Sequence, residues 1–167
     1  AMVRAVKGNG CLRYTQIGGY NDNAIENENV VIHTRSGQTY TGTVQSSHAS
    51  LHVWGSQTDK PRSDEYLEIV VDAETWSKAE TEALGIHAGD FVSFDPRTVV
   101  TETGFVKSRH LDDKASSAVL LTLAREVAEG RAKLCRKTTL LFTVYEEVGH
   151  GASPLYHMDI EDMLAVD

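Results

Sequence analysis

A chain of 167 residues is about one domain long, and a domain of that size buries roughly 70% of the surface its unfolded form exposes, so a real core is possible. At 41% hydrophobic and 24% charged with only 3 Pro, the composition is that of a globular protein and excludes a disordered segment. The formal charge of -8 argues against nucleic acid or an anionic membrane surface as the main partner, since like charges repel.

Cys11 and Cys135 lie far apart without CxxC or Cys/His spacing, so neither a thiolate metal site nor a disulfide framework is expected. Two reduced thiols suit the cytoplasm. No charged and then apolar leader opens the chain, and no apolar run approaches the ~20 residues of a membrane span. Ala1 ahead of Met2 reads as a cloning remnant.

Residues 3–94 read as short strands broken by turn signals. The run 3–6 is followed by Lys7-Gly8-Asn9-Gly10, a hairpin signal, and then by 11–17, where apolar and polar residues alternate up to Gly18-Gly19. Residues 30–34 pair with 39–44 across a turn at Ser36-Gly37. A further strand is expected at 66–71, a short helix at 77–84 closed by Gly85, and another strand at 91–94. Strands this short and this regularly punctuated indicate a small β-barrel or sandwich.

After Thr98 the pattern changes. Residues 115–129 carry Ala118, Leu121, Val127 and Ala128 at helical spacing, with Ser116 or Ser117 placed to cap the start and Gly130 ending it, which predicts an amphipathic helix. Residues 138–144 form a near-continuous apolar run, the pattern of a strand covered on both faces in a mostly parallel sheet, and 163–166 starts another. The chain stops on Asp167 inside that run, so a piece of a longer protein is expected.

Open α/β sheets place ligands at the carboxyl ends of their strands, where Glu146, Glu147 and Asp167 all fall. Adjacent carboxylates repel, so Glu146-Glu147 at the end of a core strand calls for a cation or a shared proton. Asp112 and Asp113 precede the expected helix and could serve as caps. The plain alternative for Glu146-Glu147 is a solvated loop. Hard oxygen donors converging from separate loops are also how a two-metal centre is built.

Three segments then occur in order: Gly104-Phe-Val-Lys-Ser-Arg-His-Leu-Asp-Asp-Lys114, Phe142-Thr-Val-Tyr-Glu-Glu-Val-Gly-His-Gly-Ala152 and Leu164-Ala-Val-Asp167. Together they resemble the glutamyl aminopeptidase and tetrahedral aminopeptidase family of di-metal peptidases. In the first half, Leu12-Arg-Tyr-Thr-Gln-Ile-Gly-Gly19 and Val30-Val-Ile-His-Thr34 resemble the β-barrel oligomerisation domain of that family.

The resemblance implies an α/β metallopeptidase with a β-barrel oligomerisation domain over 1–98 and part of a parallel-sheet catalytic domain over 99–167. It makes Asp112 the carboxylate bridging two divalent metal ions, zinc or cobalt, with Glu147 a ligand to one and Asp167 a ligand to the other. Glu146 becomes the general base, and Asp113 a capping or orienting residue. It implies a peptide substrate and a homo-oligomer built through the barrel, with no nucleic-acid or membrane partner. The family also has a His-x-Asp motif upstream and a distal His downstream, and this chain contains neither. His110, His150 and His157 occupy no matching ligand position and read as surface or supporting histidines. Two other readings stand beside this one: a non-catalytic assembly module using unpaired barrel edges, and an amidohydrolase or deacetylase of the same fold.

Overall fold

A computed structural model describes residues 1–146 and 149–167. The chain divides into two compact units, Ala1–Asp95 and Pro96–Asp167.

The first unit holds six strands: β1 (Met2–Val6), β2 (Leu12–Thr15), β3 (Asn29–His33), β4 (Thr39–Ser46), β5 (Leu67–Val71) and β6 (Phe91–Phe94). They close into a barrel in the order β1-β2-β5-β4-β3-β6, every pairing antiparallel, with β6 returning to β1 at Met2↔Phe91. Of the two architectures expected, the barrel is the one formed. Closure leaves no unpaired edge, which removes the edge-based interface that the assembly-module reading relied on.

The strand period of two decides which residues point inward. Val30 and Ile32 of β3, Val44 of β4, Ile69 and Val71 of β5, and Val92 and Phe94 of β6 are all buried. In β1 the buried residues are Val3 and Val6, an odd spacing that simple alternation forbids. A bulge resolves it: Val3 pairs with Tyr14 and Ala5 with Arg13, so Arg4 is the extra residue and the pleat is reset. Glu68 is buried on β5, and the Lys7 ammonium pairs with its carboxylate, which offsets the cost of taking that charge out of water.

Two small elements finish this unit. The turn α1 (Leu51–Trp54) lies between β4 and β5, where the sequence carries no helical periodicity. The helix α2 (Lys78–Ala83) matches expectation: Ser77 Oγ accepts from Glu80 N at 3.3 Å, and the Glu80 carboxylate accepts from Trp76 N at 2.7 Å, a reciprocal cap. Thr81, fully buried, donates its hydroxyl to Gly10 O at 2.9 Å and fastens the helix to the β1–β2 hairpin.

One glycine in β4 is required by packing. A Cβ on Gly42 would stand 2.6 Å from Val70 O and 3.1 Å from Ile69 Cγ2. Gly42→Ala is therefore expected to destabilise the barrel by about 1–3 kcal/mol, because a backbone carbonyl cannot rotate away as a side chain could. A chemical-denaturation midpoint equal to that of the parent chain would show that the strands separate at negligible cost.

Two tyrosines near the barrel end respond to pH. Tyr14 Oη donates to Asp22 Oδ1 at 2.7 Å. The Tyr20 ring packs edge-on against Phe94 at 5.3 Å, and its buried hydroxyl has no hydrogen-bond partner among the described residues. Burial first, and then the Asp22 carboxylate, push the Tyr20 phenol up to about 12. Tyr14 shifts in the same direction through burial and its bond to Asp22. A raised folded-state value means that the stabilisation is complete below the ordinary phenol value near 10 and is lost as pH rises toward 12. Tyr20→Phe is expected to raise the pH midpoint of alkaline unfolding and to leave stability at pH 7 unchanged or slightly higher, since it removes an unsatisfied hydroxyl. A loss of thermal stability at pH 7 would show that the hydroxyl has a partner after all.

The second unit holds β7 (Val99–Val100) paired with β8 (Val106–Lys107), the helix α3 (Leu111–Ala128) and a 3-10 turn at Ser153–His157. The β7–β8 hairpin was not expected. The helix expected at 115–129 is present; its span opens at Leu111, but Asp112 and Asp113 within it do not hold helical dihedrals.

The parallel-sheet expectation is corrected here. All strand pairs among the described residues are antiparallel, and neither 138–144 nor 163–166 pairs with anything. An apolar run becomes a strand only where neighbours take its N–H and C=O groups and cover its faces, and the described part of this unit supplies neither. Accordingly, no described residue after Phe94 is buried; Val144 is 71% and Leu164 87% exposed. No helix of the described residues is long and apolar enough to cross a membrane.

Candidate active site

The carboxylates singled out above lie in the second unit, and the backbone treats two of their neighbourhoods unusually. His110 precedes α3 in the left-handed region, at φ 61° and ψ 34°. Asp112 and Asp113 then leave helical geometry, at φ -77°, ψ 116° and φ -106°, ψ 36°. They are therefore no ordinary first helical turn, and no side chain caps the helix at its N-cap residue. Asp112 is exposed; Asp113 is half-buried, and its Oδ1 is buried without a hydrogen-bond partner among the described residues. Burial first, then repulsion from Lys114 and Arg109, lowers the proton affinity of His110, which favours its neutral form.

Glu146 follows Tyr145, which is also left-handed at φ 73°. The turn is fastened by Gly149 N to Glu146 O and by His150 N to Tyr145 O, each at 2.8 Å. Gly151 brings the chain back close: a Cβ there would stand 2.8 Å from both Thr143 Cβ and Val144 O, at a φ of 114° that side chains rarely adopt. Left-handed non-glycine residues thus precede both the Asp112-Asp113 pair and Glu146. Such positions cost free energy and gather where a side chain must be aimed.

Glu146 and Asp167 are exposed, and Glu147 lies outside the described residues. Among the described residues, no three His, Cys, Asp or Glu side chains stand together as a metal-holding group. The donors present fit a divalent cation in kind. They are hard carboxylate oxygens, and Asp113 Oδ1 is an acceptor still lacking a partner. His150 and His157 are exposed. The unpaired oxygen of Asp113 and the close approach at Gly151 were not legible beforehand; the Asp-Asp doublet and the paired glycines around His150 were their only sequence signals.

Comparison with known proteins agrees with the three ordered segments. The profile of the M42 glutamyl aminopeptidase family matches residues 1–167. The provisionally named aminopeptidase YhfE of Bacillus subtilis (strain 168) is 43% identical over 167 residues, covering 100% of this chain and 48% of that protein. The provisionally named aminopeptidase FrvX of Escherichia coli (strain K12) is 28% identical over 126 residues, 75% of this chain and 35% of its own length. Among solved structures, aminopeptidase APDkam598 from the archaeon Desulfurococcus kamchatkensis superposes with a TM-score of 0.71 at 26% identity, covering 93% of this chain and 40% of that one. The Pyrococcus horikoshii TET1 peptidase shares the fold at a TM-score of 0.67 and 24% identity, over 93% of this chain and 45% of its own. The chain spans about half the length, or less, of the relatives it matches. With its whole length matched, the chain belongs to the M42 glutamyl aminopeptidase family.

Proposed function

We propose that the whole protein of which this chain forms part is a metal-dependent aminopeptidase that removes N-terminal residues from peptides. The observation that carries this reading is the family match across residues 1–167. Asp112 would bridge two divalent ions, zinc or cobalt, with Glu147 and Asp167 each holding one of them. When bound, such a pair supplies the positive charge that polarises a scissile carbonyl and lowers the pKa of water. Glu146 takes the proton of the attacking water and returns it to the leaving amine, as a carboxylate on a fixed turn beside the reacting atoms can do. Asp113 is assigned to orienting the groups around the ions and is no ligand itself.

In this reading the barrel, residues 1–98, serves assembly into a homo-oligomer, and 99–167 belong to the catalytic domain. The Pyrococcus horikoshii relative can assemble into a tetrahedron or a large octahedral shell, which supports such a role. The two free cysteines suit a cytoplasmic protein. No observation favours a deacetylase over a peptidase.

The chain by itself is expected to lack appreciable activity, because an incomplete ligand shell cannot hold both ions in catalytic geometry. The measurement is hydrolysis of an aminoacyl anilide with added zinc or cobalt, run on the 167-residue chain and on the longer parent. Metal-dependent turnover by the short chain, lost with Glu146→Gln, would overturn the claim of incompleteness. An inactive parent would overturn the peptidase reading itself.

A further inference from the structure

The tip of the β1–β2 hairpin carries the one Asn-Gly step in the chain, Asn9-Gly10. Its loop is tightly built. Gly10 N donates to Lys7 O at 3.0 Å and Lys7 N to Cys11 O at 2.8 Å, and Gly10 stands at φ 84°, the left-handed glycine that ends a three-residue hairpin loop. Asn9 is exposed, while Gly10 is buried. Cys11 N donates to Asn9 Oδ1 at 3.2 Å, which draws electron density from the side-chain carbonyl carbon.

Gly10 also holds the neighbouring helix. Its carbonyl accepts the buried Thr81 hydroxyl of α2 at 2.9 Å, and a Cβ on Gly10 would stand 3.0 Å from Thr75 O and 3.1 Å from Thr81 Oγ1. Hairpin tip and α2 therefore meet with no spare room, and a change in chain length at the tip has to displace one of them.

We propose that Asn9 is a site of spontaneous deamidation, gated by opening of the hairpin tip and transmitted to α2. The Gly10 backbone nitrogen gives its proton to water or hydroxide and attacks Asn9 Cγ; the Cγ–Nδ2 bond breaks, ammonia leaves and a succinimide ring remains. Water then opens the ring at either carbonyl, giving aspartate or isoaspartate at position 9. Glycine as the following residue puts no side chain over the attacking nitrogen. Donation from Cys11 N to Oδ1 favours the step as well, because that oxygen gathers negative charge as the nitrogen adds. The bond from Gly10 N to Lys7 O opposes it, since an N–H engaged by a carbonyl is not free to react. Reaction thus waits on a local opening of the tip, which costs less than global unfolding. Isoaspartate reroutes the main chain through the side chain and adds one methylene, about 1.5 Å of backbone. Thr81 then loses its acceptor, or α2 moves with it. Aspartate leaves the backbone path as it was, and its carboxylate can still accept from Cys11 N.

Ageing the 167-residue chain at mildly alkaline pH, native and in urea, with peptide mapping and an enzymatic assay of isoaspartate, tests this. Conversion at Asn9 is expected in both samples and roughly tenfold slower in the native one, the protection that the closed tip gives. Asn9 still intact in the native chain at roughly a hundred times the half-life in urea would overturn the site, and equal rates in the two samples would overturn the gate. Asn9→Asp supplies the charge of the product on an unaltered backbone. Amides of residues 78–83 are expected to exchange with solvent roughly tenfold faster in the aged isoaspartyl fraction than in Asn9→Asp, while β3 to β6 stay equally protected in both. Identical exchange in residues 78–83 would overturn the link to α2.

Discussion

In the full-length parent, Glu146→Gln is expected to lower turnover of an aminoacyl anilide by roughly 10²–10⁴-fold, the usual contribution of a positioned acid–base group. Metal content should stay nearly unchanged, because the amide keeps the shape of the side chain and the backbone bonds from Gly149 N to Glu146 O and from His150 N to Tyr145 O do not involve it. Asp112→Asn should behave differently, losing metal as well as activity, since a bridge holds ions while a base acts on water. Metal analysis beside kcat separates the two. Equal metal loss in both variants would mean that the roles are wrongly divided between these carboxylates.

Residues 1–98 expressed alone are expected to fold cooperatively and to self-associate, whereas 96–167 alone should show no cooperative unfolding. Every buried residue described lies at or before Phe94, and the barrel pairs all its own strands, so it needs nothing from the rest of the chain for its core. The second unit has no buried residue among those described, and a segment without a core cannot offset the entropy of ordering its chain. Because the barrel is closed, association must use side chains of its outer surface and not strand edges; Trp76, 80% exposed, and Phe91, 60% exposed, are among the large apolar groups this unit presents, with Leu51, Val53 and Trp54 between β4 and β5. Circular dichroism and mass in solution decide the matter. A disordered or strictly monomeric product would sink the claim of an autonomous assembly domain.

Much of the barrel was legible because its determinants are local. The Lys7-Gly8-Asn9-Gly10 turn, the strand pair over 30–44 around Ser36-Gly37 and the short helix closed by Gly85 each act over a few residues, and each appears where the sequence places it. The ordered carboxylate segments likewise pointed to the family without any knowledge of the fold. Other features depended on residues distant in sequence. The bulge between Val3 and Ala5 exists because Val3 and Val6 must both reach a core shared with five other strands, and nothing in residues 2–6 announces it. Gly42 reads as an ordinary glycine until the Val70 carbonyl of the neighbouring strand is seen against it.

The same division explains the error in the second unit. Residues 138–144 carry the apolar content of a buried strand, but composition records only a tendency to be covered; hydrogen-bonding neighbours decide whether a sheet forms, and none pairs with them here. The order of Asp112, Glu146, Glu147 and Asp167 was set by the sequence alone. The unpaired oxygen on Asp113, the left-handed His110 and Tyr145, and the bond from Arg62 to Glu26 were decided only by the tertiary structure, because burial, backbone dihedrals and long-range hydrogen bonds are properties of the folded chain.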